Sequence, residues 1–99
     1  MNKKSYKPAK PFIEKLLKDK DIKIIYEEER AKTLIAEAVR TARIQAGLTQ
    51  TELANIAHTT QSVVSRIESG VDTRTPSLSL LAKIGAACNA KLTFGFTFN

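Results

Sequence analysis

Residues that commonly act as nucleophiles or bind metals are scarce in this sequence. It has one cysteine, Cys88, and one histidine, His58, which lie thirty residues apart. They have no third partner and no spacing typical of metal ligands. A single cysteine excludes a disulfide within the chain, and its position in an apolar pattern predicts a core residue. We therefore expect no enzymatic activity, no metal and no cofactor.

Long apolar runs are also absent. No stretch approaches the roughly 20 apolar residues of a membrane span, and the basic N-terminus lacks the apolar region of a signal peptide. We therefore expect a cytoplasmic protein. With 99 residues, 42% of them apolar, the chain suits one compact domain with a modest core and a tail.

Positive charge is concentrated at the N-terminus. Residues 1–23 hold eight lysines and three acidic residues, whereas residues 24–99 hold eight basic and seven acidic residues. If residues 24–99 bind nucleic acid, their affinity for phosphates depends on a few well-positioned side chains, on helix N-termini, and on a second copy of the chain or the lysine tail. Residues 1–11 have almost no apolar side chains. We expect a disordered tail there, which either solubilises the protein or contacts phosphate.

Residues 48–70 predict two short helices joined by a tight turn. Thr49 and Glu52 have the spacing of a capping box, so the first helix begins directly after the threonine. Its apolar pattern stops at short polar residues that favour a turn and a new N-cap. The second helix covers residues 61–69 and ends at Gly70, a left-handed cap.

Helical periodicity divides the second helix into two faces. Val63, Val64 and Ile67 share the inner face. The outer face carries polar side chains, namely Gln61, Ser62, Ser65, Arg66 and Ser69. Gln, Ser and Arg match the hydrogen-bonding groups of base edges, which predicts a recognition helix for the major groove of DNA. The alternative is a solvated helix in a small bundle.

Three more helices are predicted around this pair. A short one covers residues 12–17, a long one runs from Glu27 to Gly47, and a last one opens at Pro76-Ser77. Residues 19–26 are ambiguous: Ile22, Ile24 and Tyr26 alternate as on a strand, while the flanking charges also allow a helix start or an ordered linker. We favour an irregular link. The apolar faces expected to be buried are Ile35, Val39, Ala42 and Ala46 in the long helix and Leu78, Leu81, Ile84 and Ala87 in the last one.

The C-terminal residues alternate as on a half-buried strand. Leu92, Phe94, Phe96 and Phe98 are separated by smaller residues. Because no other strand is predicted, this one most simply pairs with its copy in a homodimer. Such a dimer would place two recognition helices about 34 Å apart on a palindromic operator. The alternatives are a different protein that completes the sheet and a strand that covers the chain's own core.

The motifs LTQTELA, TTQSVVSRIESG and PSLSLLAKIGAACN resemble the Cro/C1-type helix-turn-helix family, over residues 39–89. The resemblance implies a mainly α, five-helix, lambda-repressor-like DNA-binding domain. Here this domain would carry an N-terminal extension and a C-terminal β-strand for dimerisation. His58 stands where the family usually has the glycine of the turn, and histidine tolerates positive φ better than most residues.

The chain also resembles the HigA-type antitoxins of bacterial toxin–antitoxin pairs, through TLIAEAVRTARIQAGLTQTELA, TTQSVVSRIESG and KLTFGF. This resemblance implies a dimeric repressor of its own operon that also neutralises a RelE/HigB-like mRNA-cleaving toxin. We divide the chain into an N-terminal segment that binds the toxin (1–26), a DNA-binding domain (27–90) and a dimerisation strand (91–99). The alternative is a stand-alone Cro/C1-type repressor without a toxin partner.

The resemblance also assigns DNA contacts to this chain. They are Gln50 on a phosphate, Gln61, Ser62 and Arg66 on base edges, and Thr60 and Ser65 on backbone or bases beside them. Arg74, in the loop before the last helix, is either a further phosphate contact or a plain exposed residue.

For toxin binding, the surplus apolar residues of the N-terminal segment are the candidates, because an exposed apolar helix commonly binds a groove. They are Phe12, Ile13, Leu16, Leu17, Ile22, Ile24 and Ile25. The alternative is packing within the chain. A ribonuclease toxin of this class is expected to be basic, as this segment is. The contact could instead centre on the long helix, where Glu27 to Glu29 and Glu37 offer negative charge.

Overall fold

The computed structural model describes residues 9–16, 18–71 and 74–98. These residues form five helices: α1 (Ala9–Leu16), α2 (Lys20–Gln45), α3 (Gln50–Ile56), α4 (Gln61–Ser69) and α5 (Leu78–Ala87). The prediction of a mainly helical chain with five helices is confirmed. Within the described ranges, no helix combines the length and apolarity needed to cross a bilayer.

The chain divides into two compact units, Met1–Ala31 and Lys32–Asn99, and the boundary falls inside α2. The division at residues 26 and 90 stays a prediction. In the first unit, the short helix expected at residues 12–17 is present as α1, although Leu17 lies outside the described residues. The tail expected to be disordered also lies mostly outside them, and its last three residues belong to α1. Pro11 fits there because the first turn of a helix needs no intrahelical N–H donor.

Helix α2 begins at Lys20, earlier than predicted, so the irregular link favoured over residues 19–26 is wrong and the alternative of a helix start there is confirmed. The reason is Asp19, whose Oδ1 accepts hydrogen bonds from the backbone N–H of Asp21 at 2.9 Å and of Ile22 at 3.3 Å. A carboxylate in this position caps a helix and stabilises it by about 1 kcal/mol. The strand-like alternation of Ile22, Ile24 and Tyr26 does not mark a buried face, since all three side chains are exposed.

The core of the second unit is built where α2, α3, α4 and α5 meet. Its buried residues are Val39, Leu53, Ala54, Ala57, Val64, Ile67, Ile84 and Cys88. Leu53 and Val64 are fully buried, and burial of such a side chain stabilises the fold by about 1.5–3 kcal/mol. The core position predicted for Cys88 is confirmed. The inward positions predicted for Ala46 and Leu78 are wrong, because both residues are exposed next to a helix end.

The helix ends follow the sequence signals closely. Thr49 and Glu52 form both hydrogen bonds of the capping box, at 3.0 and 2.8 Å. Ser77 caps α5. Gly70 ends α4 with φ +71°, and His58 adopts the predicted positive φ, +58°, in the turn after α3. The relative placement of α3 and α4 therefore rests on a turn that a non-glycine residue makes in the left-handed region.

No strand occurs in the described residues, so the predicted C-terminal strand is not confirmed. Residues 90–98 follow α5 without regular secondary structure. A strand needs a neighbour to complete its hydrogen-bond ladder, and the rest of the described chain is helical. Phe94, Phe96 and Phe98 are between 81% and 91% exposed. The alternative that they cover the chain's own core is therefore wrong.

Candidate nucleic-acid interface

Helix α4 presents the predicted polar face to solvent. Gln61, Ser62 and Arg66 are exposed, and Ser65 is half-buried. Thr60 has a structural task as the N-cap, because its Oγ1 accepts a hydrogen bond from the Val63 backbone N–H at 3.2 Å. The amphipathic division predicted from periodicity is confirmed, since Val64 and Ile67 are buried on the opposite face.

Two glutamines connect α3 to α4 at their N-termini. The Gln61 Nε2 donates to the Gln50 Oε1 at 2.8 Å, and the Gln50 Nε2 donates to the Glu68 Oε1 at 3.2 Å. Each bond uses one particular end of an amide, so the two bonds together fix the orientation of the Gln50 amide. The exposed Gln61 is thus tethered, through Gln50, to a buried carboxylate.

That carboxylate belongs to a buried ion pair between α4 and α2. The Arg43 Nε and Nη2 donate to the Glu68 Oε2 and Oε1 at 2.6 and 3.0 Å, in a two-pronged geometry. The Glu68 side chain is 5% exposed and that of Arg43 is 17% exposed. The Arg43 Nη1 also donates to the Leu48 carbonyl, and Arg40 donates to the Glu68 carbonyl. The pair therefore joins α2 to the start of α3 and to the end of α4.

The environment keeps both partners charged. Burial by itself raises the pKa of Glu68, but hydrogen bonds from Arg43 and Gln50 and the charges of Arg43 and Arg40 outweigh it and lower the pKa below the usual glutamate value. The hydrogen bond with Glu68 in turn raises the pKa of Arg43. A paired, hydrogen-bonded arrangement of this kind is the condition under which charges are tolerated away from water.

Sequence reasoning missed Arg40, Arg43 and Glu68. One signal was available, because Glu68 lies four residues after Val64 and therefore on the inner face of α4. A glutamate on a buried face requires a cationic or hydrogen-bonding partner. The identity of that partner is not a local property, since Arg43 is 25 residues away.

The remaining predicted site residues belong to different segments of the chain. Arg74 is exposed in the loop before α5, where it lines a small notch together with Arg66. The apolar candidates of the first unit are Phe12, Ile13, Leu16, Ile22, Ile24 and Ile25, all between 37% and 63% exposed. Leu17 is outside the described residues. The tail candidates Leu92, Phe94, Phe96 and Phe98 are exposed in the second unit.

A groove runs beside the base of the tail, between α2 and α5. It has a volume of about 210 Å³. Its lining is mostly apolar and includes Ile35, Ala38, Val39, Leu81, Ile84 and Leu92. In the part of the chain that the structure describes, no three His, Cys, Asp or Glu side chains come together as a metal site requires.

Comparison with known proteins identifies a family for this chain. A family model for helix-turn-helix proteins matches residues 39–94, which is more than half of the chain. The matched segment runs from the middle of α2 through α5 into the tail, and it contains Arg43, Gln50, Gln61 and Glu68. Neither the curated proteins nor the solved structures gave a match.

Proposed function

Because this chain belongs to the helix-turn-helix family of DNA-binding regulators, we propose that it reads an operator with α4. In the full proposal it acts as a homodimer, represses its own operon and neutralises a RelE/HigB-like mRNA-cleaving toxin. The observation that carries the DNA-reading part is the chain of hydrogen bonds from Gln61 through Gln50 to the buried Glu68.

The proposed reading face combines short and forked polar side chains. Gln61 would bind adenine with its amide, and Arg66 would bind guanine or a phosphate. Ser62, Ser65 and Thr60 would contact bases or backbone beside them, and Gln50 would bind a phosphate at the N-terminus of α3. A tethered Gln61 supports this assignment, because a side chain held in place loses less conformational entropy when it binds.

We expect Gln61→Ala to lose about 1–3 kcal/mol of discrimination between operator and random DNA. Gln50→Ala should mainly weaken binding to both, with a smaller loss of discrimination because it releases the Gln61 amide. The physical reason is that contacts to base edges distinguish one DNA sequence from another, whereas contacts to phosphates only position the protein on the duplex. Because the two amides are hydrogen-bonded, the double variant should lose less than the sum of the single variants. Titrations of operator and random duplexes by fluorescence anisotropy measure all three effects.

The matched control for this series is Gln45→Ala, which removes an exposed glutamine from the end of α2 and should leave both affinities unchanged. An equal loss on operator and random DNA for Gln61→Ala would contradict the base-contact assignment.

The toxin-binding part of the proposal is supported by the apolar residues of the first unit. Seven of its described aliphatic and aromatic side chains remain substantially exposed, which is unusual for a chain that acts alone. The hydrophobic surface around Ile24 borders Lys20, Lys23, Glu27 and Glu28, so it offers charges of both signs at its rim. This arrangement suits a protein groove with mixed charge, and it is compatible with a basic toxin on the glutamate side.

We expect the double variant Ile24→Asp/Ile25→Asp to weaken toxin binding by at least about 100-fold, since each isoleucine removed from an interface costs about 1.5 kcal/mol or more. Operator binding should be unchanged. The assay is a pull-down with the tagged chain in its native host, combined with mass spectrometry and a gel shift on the DNA upstream of its own gene. Ile44→Asp, which alters an exposed isoleucine of the second unit, is the matched control and should keep the partner.

Capture of a stoichiometric small basic protein from the neighbouring gene, lost in the double variant, would support the antitoxin function. An operator shift without any partner would instead support a stand-alone repressor. The family match is equally consistent with that alternative. If the chain is a stand-alone repressor, the apolar residues of the first unit would pack within the chain instead of binding a toxin.

A homodimer through the C-terminal tail completes the proposal. Its support is that the phenylalanines at alternate positions 94, 96 and 98 are almost fully exposed. The segment that carries them starts beside the apolar groove between α2 and α5. Pairing with a second tail would form the ladder that one tail cannot form, and it would cover aromatic surface at the same time. The groove between α2 and α5 is large enough to receive apolar side chains of the second copy.

A further inference from the structure

A small notch lies beside the C-terminal half of α4, and three cationic side chains line it. They come from three different segments: Lys32 from α2, Arg66 from α4 and Arg74 from the loop before α5. The rest of the lining consists of Ile35, Ile67, Gly70 and Pro76. Residues 32–99 contain seven basic residues, so nearly half of the positive charge of this unit is gathered at one point.

The size of the notch limits what it can hold. Its volume is about 20 Å³, enough for one water-sized group, which needs about 10–15 Å³. One oxygen atom of a larger anion fits this space. The two guanidinium groups suit a phosphate in particular, because their donors form a planar fork.

Arg66 connects this notch to the polar face of α4. It lies one helical turn beyond Ser62, which corresponds to about 6 Å along the helix axis. The major groove is about 12 Å wide and is bordered by phosphates. When the first turn of α4 faces base edges, the next turn therefore lies near the sugar-phosphate backbone.

We propose that Lys32, Arg66 and Arg74 together hold one backbone phosphate of DNA while α4 occupies the major groove. This inference rests on the proposed DNA-reading function and adds a residue to it. Lys32 precedes both the helix-turn-helix segment and the matched residues 39–94. Helix α2 thereby takes part directly in DNA binding, in addition to packing against the core.

The test measures the salt dependence of DNA binding by the full chain. Fluorescence anisotropy with a random duplex of about 30 base pairs, between about 50 and 200 mM NaCl, gives the slope of log K against log salt. A phosphate contact contributes about 0.9 to that slope. Because Arg66 and Arg74 would still contact the same phosphate, we expect Lys32→Gln to reduce the slope by part of this amount. The triple variant Lys32→Gln/Arg66→Gln/Arg74→Gln should reduce it by the full amount, so that it loses about 3.5-fold less affinity than the wild type over the fourfold salt increase.

Two further variants separate this contact from general effects. Lys32→Arg should keep the wild-type slope, because it keeps the charge. Lys83→Gln removes an exposed lysine of α5 that does not line the notch, and it should also keep the slope. An unchanged slope for Lys32→Gln, or an equal reduction for Lys83→Gln, would overturn the inference while the DNA-binding function stands. A wild-type chain without salt-dependent DNA binding would overturn the proposed function and this inference together.

Discussion

Glu68→Ala should lower the free energy of unfolding by about 3–5 kcal/mol, because it removes one partner of a buried ion pair and leaves the other charge uncompensated. Arg43 would keep its hydrogen bond to the Leu48 carbonyl at 2.9 Å but would lose both bonds to the carboxylate. Gln50 would lose its acceptor as well. Urea unfolding followed by circular dichroism measures the effect, and the variant should also lose affinity for DNA because α3 and α4 are no longer linked through Glu68.

The matched control is Glu37→Ala, which removes an exposed glutamate from α2. Its effect should remain within about 0.5 kcal/mol, as for other surface substitutions. If Glu68→Ala is no more destabilising than this control, the buried pair does not stabilise the fold in the way its geometry indicates.

Acidification provides a second readout of the same pair. The pKa of Glu68 is lowered in the folded state, where hydrogen bonds and nearby arginines outweigh burial. Its ionised form therefore stabilises the fold fully above the unfolded pKa of about 4.3, and this contribution is lost as the pH falls through the lowered folded pKa. The difference in stability between wild type and Glu68→Ala should accordingly shrink as the pH is reduced below about 4.3. A constant difference over that range would contradict the assignment.

Local signals in the sequence predicted the bounds of α3 and α4, because a capping threonine and a left-handed glycine act within a few residues of the helix end. The start of α2 was missed for a related reason. Asp19 is a cap of the same chemical kind, but the alternating isoleucines that follow it suggested an extended segment. In this segment the hydrogen bonds of the Asp19 cap favour the helix. The alternating residues bury no apolar surface, so nothing favours the extended conformation.

Long-range partners could not be derived in the same way. The polar face of α4 was predicted residue by residue, yet nothing near Gln61 in the sequence indicates that its amide is bonded to Gln50 or that Glu68 lies behind both. The notch shared by Lys32, Arg66 and Arg74 also depends on how three segments pack. Periodicity identifies which side of a helix faces outward, whereas the partners of that side follow only from the tertiary structure.

The charge of residues 24–99 leads to the largest effect that we expect on DNA binding. Residues 24–99 carry a nearly balanced set of charges, and Glu68 neutralises one of the cations. One copy can therefore neutralise only a few phosphates, which gives weak binding at physiological salt. Two linked copies on two half-sites convert the second contact into an intramolecular one, with a gain in affinity of about 10²–10⁴-fold.

The triple variant Phe94→Ser/Phe96→Ser/Phe98→Ser should therefore bind its operator about 10²–10⁴-fold more weakly than the wild type and should sediment as a monomer. Because the three side chains are between 81% and 91% exposed in the single chain, their loss removes no core contact and should leave thermal unfolding of the monomer unchanged. Phe12→Ser, which removes an exposed phenylalanine from the first unit, is the control and should leave the dimer intact. A triple variant that still sediments as a dimer would exclude the tail as the dimer contact. If it sediments as a monomer and keeps wild-type affinity, one copy is enough to bind the operator. The nearly balanced charge of residues 24–99 then does not limit the affinity for DNA.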